Sequence, residues 1–251
     1  MSWSGFSKKT ARRRPASCCT FTAAALGKEK QAHALFEHAI ADARKEGADS
    51  TATVGRLFVD EIDVTANSGS RQDALQIAAR ADGLDSNEFA PITLAKAGDV
   101  DRASAIAAEI AQRSPADTTA VDIDIPATRA AIDLRNGLPA KAIDDLQPAL
   151  AYEFRNFEVP SLLAQAYLEA NMPERAADEY QKIISRRGVD ALSILYPLAH
   201  LGLARAEARM GNKSASRAEY AQFFDVWKQG DADLPILADA RAESAKLLES
   251  R

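Results

Sequence analysis

Apolar positions recur at three- and four-residue steps over most of the chain, the spacing that lines up one buried helix face. The pattern is sharpest from Val159 to Trp227, where two helix-turn-helix stretches carry equivalent residues at equivalent offsets, and a third copy precedes them. Gly137, Asn171 and Gly211 fall at the turn, with Pro139 and Pro173 two residues on. Ala142, Ala176 and Ser216 follow, and then Leu146, Tyr180 and Tyr220 four residues later. Residues four apart share a helix face, so the small one lets a neighbouring helix approach and the large one fills the space beside it. A single unit of this kind cannot bury its apolar face, whereas stacked units bury a continuous core.

Weaker copies lie upstream. From Lys28, residues Ala32, Leu35, Phe36, Ala39, Ile40 and Ala43 predict a second helix ending at Gly47, with Gly27 as its turn residue and Ala32 and Phe36 as its core pair. Its first helix would have to come from the poor helix-forming residues before it, so this unit reads as truncated. Leu57 to Ala66 leads to Gly69, then Ala74 and Ala78; Glu88 to Ala97 leads to Gly98 and Asp99, then Ala103 and Ala107. Successive turns from Gly69 are 29, 39, 34 and 40 residues apart, a loose period. The run from Val121 to Pro126 alternates like a strand but ends in proline, and is expected as an extended linker. Asp233 and Pro235 mark a last helix start. Leu237, Ala240, Ser244 or Ala245, and Leu248 make its apolar stripe, with Arg241, Glu243, Lys246 and Glu249 on the other side.

A period near 34 with a turn residue, then a small residue and an aromatic four apart, resembles the tetratricopeptide (TPR) family. The resemblance implies an all-α, right-handed solenoid of about five to six units over residues 23–251. Weaker units would occupy 23–118 and stronger ones 124–230, and a capping helix at 233–250 would close the row with a solvated outer face. More narrowly, Tyr180 to Leu247 resembles the C-terminal TPR region attached to bacterial, notably acidobacterial, serine/threonine protein kinases and winged-helix regulators. The likeness rests on Arg187-Gly188, the apolar run 198–206, Tyr220 to Trp227, and Asp233 to Leu237; Glu207 stands where that family usually has tyrosine. It implies the non-catalytic, regulatory half of such a system. The glycine-rich loop, VAIK-like lysine, HRD and DFG motifs of a kinase are absent from the sequence, as is a winged-helix pattern.

Composition agrees with helices: 47% of the 251 residues are hydrophobic but only 6% are aromatic, which disfavours strands built on rings and β-branched residues. The net charge is −5, yet residues 1–22 carry Lys8, Lys9, Arg12, Arg13 and Arg14 without an acid. Setting those five charges aside leaves −10 on the remainder, which argues against binding a nucleic-acid backbone. Residues 1–22 are expected as a disordered basic tail, with a targeting peptide and a polybasic arm as sharper alternatives. No run approaches 18 apolar residues, so no membrane span is expected. Adjacent Cys18 and Cys19 make no disulfide framework, redox pair or zinc site, which fits a cytoplasmic setting.

No catalytic, cofactor-binding or metal residue is expected. His33 and His38 are five apart and do not form an i, i+4 metal pair, and His200 lies in an apolar run; all three read as surface or core-edge histidines. GxSxG, Walker, GxGxxG and HExxH motifs are absent, and the acidic pairs Asp144-Asp145 and Asp122/Asp124 lack a partner that would make them acid/base catalysts. The expected function is instead a protein-binding scaffold, with a ligand-sensing regulatory solenoid as the alternative. In TPR solenoids the first helices line a concave inner face, and transferring that register turns Arg135, Gln165, Leu168, Glu169, Arg205 and Arg209 toward the groove. The places that hold lysines and asparagines in TPR clamps for a C-terminal carboxylate are Ala127, Ala131, Ser161 and Gln165 here, so that clamp is not expected. The mixed charge suits a protein or peptide partner carrying both signs.

Overall fold

The computed structural model describes residues 16–47, 90–152 and 157–249. Among these residues the protein is all-helical, with no strand. The helices are α1 (Ala16–Ala25), α2 (Glu29–Lys45), α3 (Ala90–Ala97), α4 (Val100–Arg113), α5 (Ile125–Arg135), α6 (Pro139–Asp145), α7 (Glu158–Glu169), α8 (Pro173–Ser185), α9 (Leu195–Arg209), α10 (Lys213–Val226) and α11 (Pro235–Glu249).

The first ten pair into antiparallel hairpins, and one turn joins every pair. Gly27, Gly98, Gly137, Asn171 and Gly211 each take a left-handed conformation. In each turn the next residue's N–H donates to the carbonyl five positions back: Lys28 to Ala23, Asp99 to Leu94, Leu138 to Asp133, Met172 to Tyr167 and Asn212 to Glu207, all at 2.8–2.9 Å. This Schellman geometry satisfies the carbonyls that the helix end leaves open. That same next residue then begins the second helix, so the hairpins are tight. Pro139 and Pro173 sit in the first turn of α6 and α8, where the missing N–H would have had no partner.

Five residues beyond each turn residue stand Ala32, Ala103, Ala142, Ala176 and Ser216, every one 0% exposed. The Ser216 hydroxyl is satisfied by donating to the Ala204 carbonyl at 2.7 Å. Nine residues beyond the turn stand Phe36, Ala107, Leu146, Tyr180 and Tyr220, all buried. The small residue admits the paired helix and the next fills the adjoining space. Where Ala107 replaces a larger side chain, Ile106 and Ile110 supply the bulk of that face.

Hairpins α3–α4, α5–α6, α7–α8 and α9–α10 pack side by side in chain order. Their interior holds three apolar clusters: one runs from α3 to α7, a second joins α7, α8 and α9, and a third belongs to α9, α10 and α11. That third cluster also contains Ala23, Ala24, Ala32, Phe36 and Ile40 of α1 and α2. The first hairpin therefore packs against the last helices of the chain.

The contact has a clear physical cause in Trp227. The Trp227 ring lies against Gly27, where a Cβ would come within 2.6 Å of it, and its indole N–H donates to the Ala25 carbonyl at 3.1 Å. Around it, the Asp231 N–H donates to the Gly27 carbonyl (2.9 Å) and the Lys30 N–H to the Asp231 carboxylate (2.8 Å). Lys30 Nζ pairs with Asp233 at 2.6 Å.

Other expectations change as well. Residues 16–22 of the expected tail are helical: they begin α1, with Thr20 fully buried and Phe21 edge-on to Phe36 at 5.5 Å. Long-range packing, invisible to local periodicity, orders them. The first hairpin is thus complete rather than truncated. The expected linker 121–126 is helical, because a π-helical turn at Ala120–Asp124 runs straight into α5. Its wider turn leads into Pro126, which has no N–H to donate, while Asp117 caps the start through the N–H groups of Thr119 and Ala120. Residues 1–15 of the tail, and the copy around Gly69 with Ala74 and Ala78, lie outside the described residues. No helix among the described residues is long and apolar enough to cross a membrane.

Candidate functional site

The first helices of adjacent hairpins, α3, α5, α7 and α9, together with α11, line one groove of about 880 Å³. Small residues along it keep it open. Ala131, Ser161 and Ala208 contribute little bulk, and Gly202 contributes none. The Gly202 vacancy is filled from behind by Tyr180 of α8: a Cβ on Gly202 would lie 2.2 Å from the ring's Cζ. Tyr180 is 8% exposed and reaches the groove floor with its phenol end. Burial, helped by the Glu169 carboxylate and opposed by the Arg205 and Arg209 cations, pushes the Tyr180 hydroxyl up to about 12.

The charged groups of the wall are mostly tied. Lys96 of α3 reaches Glu158 of α7 at 2.5 Å, both side chains 17% exposed. Arg205 of α9 binds Glu243 of α11 through two hydrogen bonds, Nε at 2.9 Å and Nη2 at 3.0 Å, and the Tyr220 hydroxyl donates to the same carboxylate at 2.8 Å. Burial alone would raise the Glu243 carboxyl, but the Arg205 and Tyr220 bonds outweigh it and hold the group below the usual glutamate range. For Tyr220 burial and the Glu243 carboxylate act together and raise the hydroxyl.

All six residues expected from the sequence line this groove. Gln165 and Glu169, one turn apart on α7, are joined by the Gln165 amide at 2.9 Å. Leu168 is buried, and its carbonyl accepts a hydrogen bond from Arg209. Arg205 is committed to Glu243. Arg135 is exposed at the end of α5 and lies over Gly98, where a Cβ would meet its guanidinium at 2.8 Å. Ala131, Ser161 and Gln165 also face the groove, so its wall lacks the carboxylate clamp at those places.

Sequence reasoning missed Glu243, Tyr220, Tyr180, Lys96 and Glu158 as groove residues. Glu243 was expected on the solvated side of α11, yet it sits on the packed side, in helical register with Ile236, Ala240 and Leu247. The spacing Ala240-Glu243-Leu247 was a usable signal that its charge obscured. Tyr180 and Tyr220 were read only as core aromatics, and their hydroxyl ends extend beyond that core.

Of the two places expected for His200, surface or core edge, it takes the core edge. It is 6% exposed, 2.7 Å from the Glu219 carboxylate through Nδ1 and edge-on to Tyr196, because α10 supplies a partner the local sequence does not display. Among the described residues no group of three or more histidine, cysteine or acidic side chains could hold a metal ion. No protein-family model matches the chain, and no curated protein matches it.

Proposed function

We propose that the chain is a non-catalytic, TPR-type helical-repeat scaffold that binds another protein along the groove of its inner helices. The single observation that carries this reading is the groove's construction: four consecutive hairpins each contribute their first helix, and α11 extends the same wall. Inner faces built in this way serve helical-repeat proteins as extended binding surfaces. The recurring turn, followed at fixed offsets by a small and then a larger buried residue, supports the repeat assignment, and the likeness of Tyr180 to Leu247 to kinase- and regulator-attached TPR regions points to a regulatory role.

The test is positional. A photo-crosslinking amino acid is placed at Gln165, exposed in the groove, and in parallel at Asp178, exposed on the outer helix α8. Cells of the native host are irradiated and the adducts compared. Discrete protein adducts from Gln165 that are missing from Asp178 are expected; adducts only from Asp178 would move the binding face to the outer helices.

A further inference from the structure

In the groove most acceptors are already held and several donors are not. Glu243 accepts from Arg205 and Tyr220 and Glu169 from Gln165, while Glu158 is ion-paired with Lys96. By contrast, Arg135 has no hydrogen-bond or ion-pair partner among the described residues. Among the described residues Arg209 is bonded only to the neutral Leu168 carbonyl, so its charge meets no carboxylate there. Tyr180, at the groove floor, finds no hydrogen-bond partner for its hydroxyl among the described residues. Five cations and three carboxylates line the groove of a chain whose overall charge is −5. The wall therefore runs opposite in sign to the molecule that carries it.

From this we infer that the groove takes an extended, acidic internal segment of a partner protein, which supplies carboxylates to Arg135 and Arg209 and an acceptor to Tyr180. The inference rests on the scaffold reading above and goes further by naming the chemistry of the partner. Length favours a peptide over a small anion. Five inner helices side by side, at the usual interaxial spacing of about 8–10 Å, make a track on the order of 30–40 Å long. An extended chain at about 3.3 Å per residue would need about ten residues to follow it. The segment is internal because the clamp positions for a chain terminus are filled by Ala131, Ser161 and Gln165. Apolar side chains of the segment would meet the half-buried Leu195, Leu198 and Leu247 between the charges, so acidic residues interspersed with aliphatic ones fit best.

The experiment is a selection from a displayed library of random ten-residue peptides embedded in a carrier loop, so that neither terminus is free, against the full chain. Arg135→Glu/Arg209→Glu serves as the counter-target. Enriched peptides are expected to gain two or more Asp or Glu over the input, and inorganic phosphate or citrate at millimolar levels should not displace them. Affinity should fall at least tenfold for Arg135→Glu/Arg209→Glu, and about threefold to tenfold for Tyr180→Phe, the range for one lost hydrogen bond. Binding should weaken as salt rises. Arg135→Gln alone, at an exposed site with no partner to lose, keeps the test independent of folding, and helical content by circular dichroism checks the double variant. If enriched peptides are basic or neutral, yet Gln165→Trp blocks them, the groove is a binding surface and the acidic preference is overturned. If Gln165→Trp blocks nothing that the library yields, or the library yields nothing, this inference is overturned. Displacement of enriched peptides by phosphate alone would overturn the choice of a peptide over a small anion. The crosslinking comparison decides the scaffold reading separately.

Discussion

The indole N–H of Trp227 donates to the carbonyl of Ala25, 202 residues earlier and 3.1 Å away. Through this pair the first hairpin is held on the last helices. Trp227→Ala should lower stability by about 3–5 kcal/mol, the range for removing a buried large aromatic. Gly27→Ala should cost about 1–2 kcal/mol or more, because the residue is left-handed and its Cβ would meet the ring. Urea unfolding followed by circular dichroism measures both, and hydrogen exchange should place the first loss of protection in residues 16–47. Values within about 0.5 kcal/mol of the unsubstituted protein, as at an ordinary surface site, would contradict the contact.

Arg205 and Arg135 both face the groove but should respond differently to charge reversal. Arg205→Glu sets two carboxylates against each other and removes two hydrogen bonds; with both side chains about a third exposed, the expected loss is about 1–2 kcal/mol. Glu243→Arg in the same chain should recover part of it, a coupling that a double-mutant cycle isolates. Arg135→Glu should change stability by less than about 0.5 kcal/mol. Equal effects in thermal melts would contradict this division.

Tyr180→Ala should be the more harmful of two tyrosine truncations. Its ring fills the space left by Gly202 and is buried, whereas Tyr152 is half-buried and its hydroxyl reaches Asp122 only at 3.4 Å. Costs of about 3–5 kcal/mol and about 1–2 kcal/mol are expected from denaturant midpoints. Gly202→Ala should also destabilise, by about 1–3 kcal/mol, since the added methyl overlaps the ring and the core must move.

The buried phenols predict an alkaline transition. Tyr180 keeps its proton to about pH 12 in the folded protein, against 10 for an ordinary tyrosine. Its contribution is therefore full below pH 10 and is lost as the pH rises through about 12, because the unfolded chain releases the proton first. Tyr180→Phe should flatten stability against pH in that window, and adding Tyr220→Phe should flatten it further. Glu243, held low, works in the opposite sense: its contribution is present above pH 4.5 and lost as the pH falls below it. An unchanged alkaline slope in the double variant would count against the burial of these hydroxyls.

Local patterns revealed much of this architecture and hid specific parts of it. The turn at Asn171, the Ala176 and Tyr180 face, and the prolines of α6 and α8 are short-range features whose chemistry is visible in a few consecutive residues. The direction of the groove residues followed from the same register. What stayed hidden depends on partners far along the chain. Nothing near Thr20 and Phe21 announces that Phe36 and the last helices will cover them. The π-helical turn before Pro126 hid because its apolar residues alternate locally, although Ala120, Ile123 and Ala127 keep helical spacing. Glu243 hid because a charged residue on a packed face is legible only once Arg205 and Tyr220 are found opposite it.

The packing of the first hairpin on the last helices also bears on synthesis. α1 and α2 leave the ribosome about 200 residues before Trp227 exists. At about 5–20 residues per second, Ala32, Phe36 and Ile40 wait on the order of 10–40 s for the surface that buries them. During that interval the hairpins from α3 onward can assemble on one another in the order in which they emerge. The α1–α2 hairpin thus settles late, and a nascent chain halted before Trp227 lacks the last-helix residues that cover Phe36 and Ile40 among the described residues.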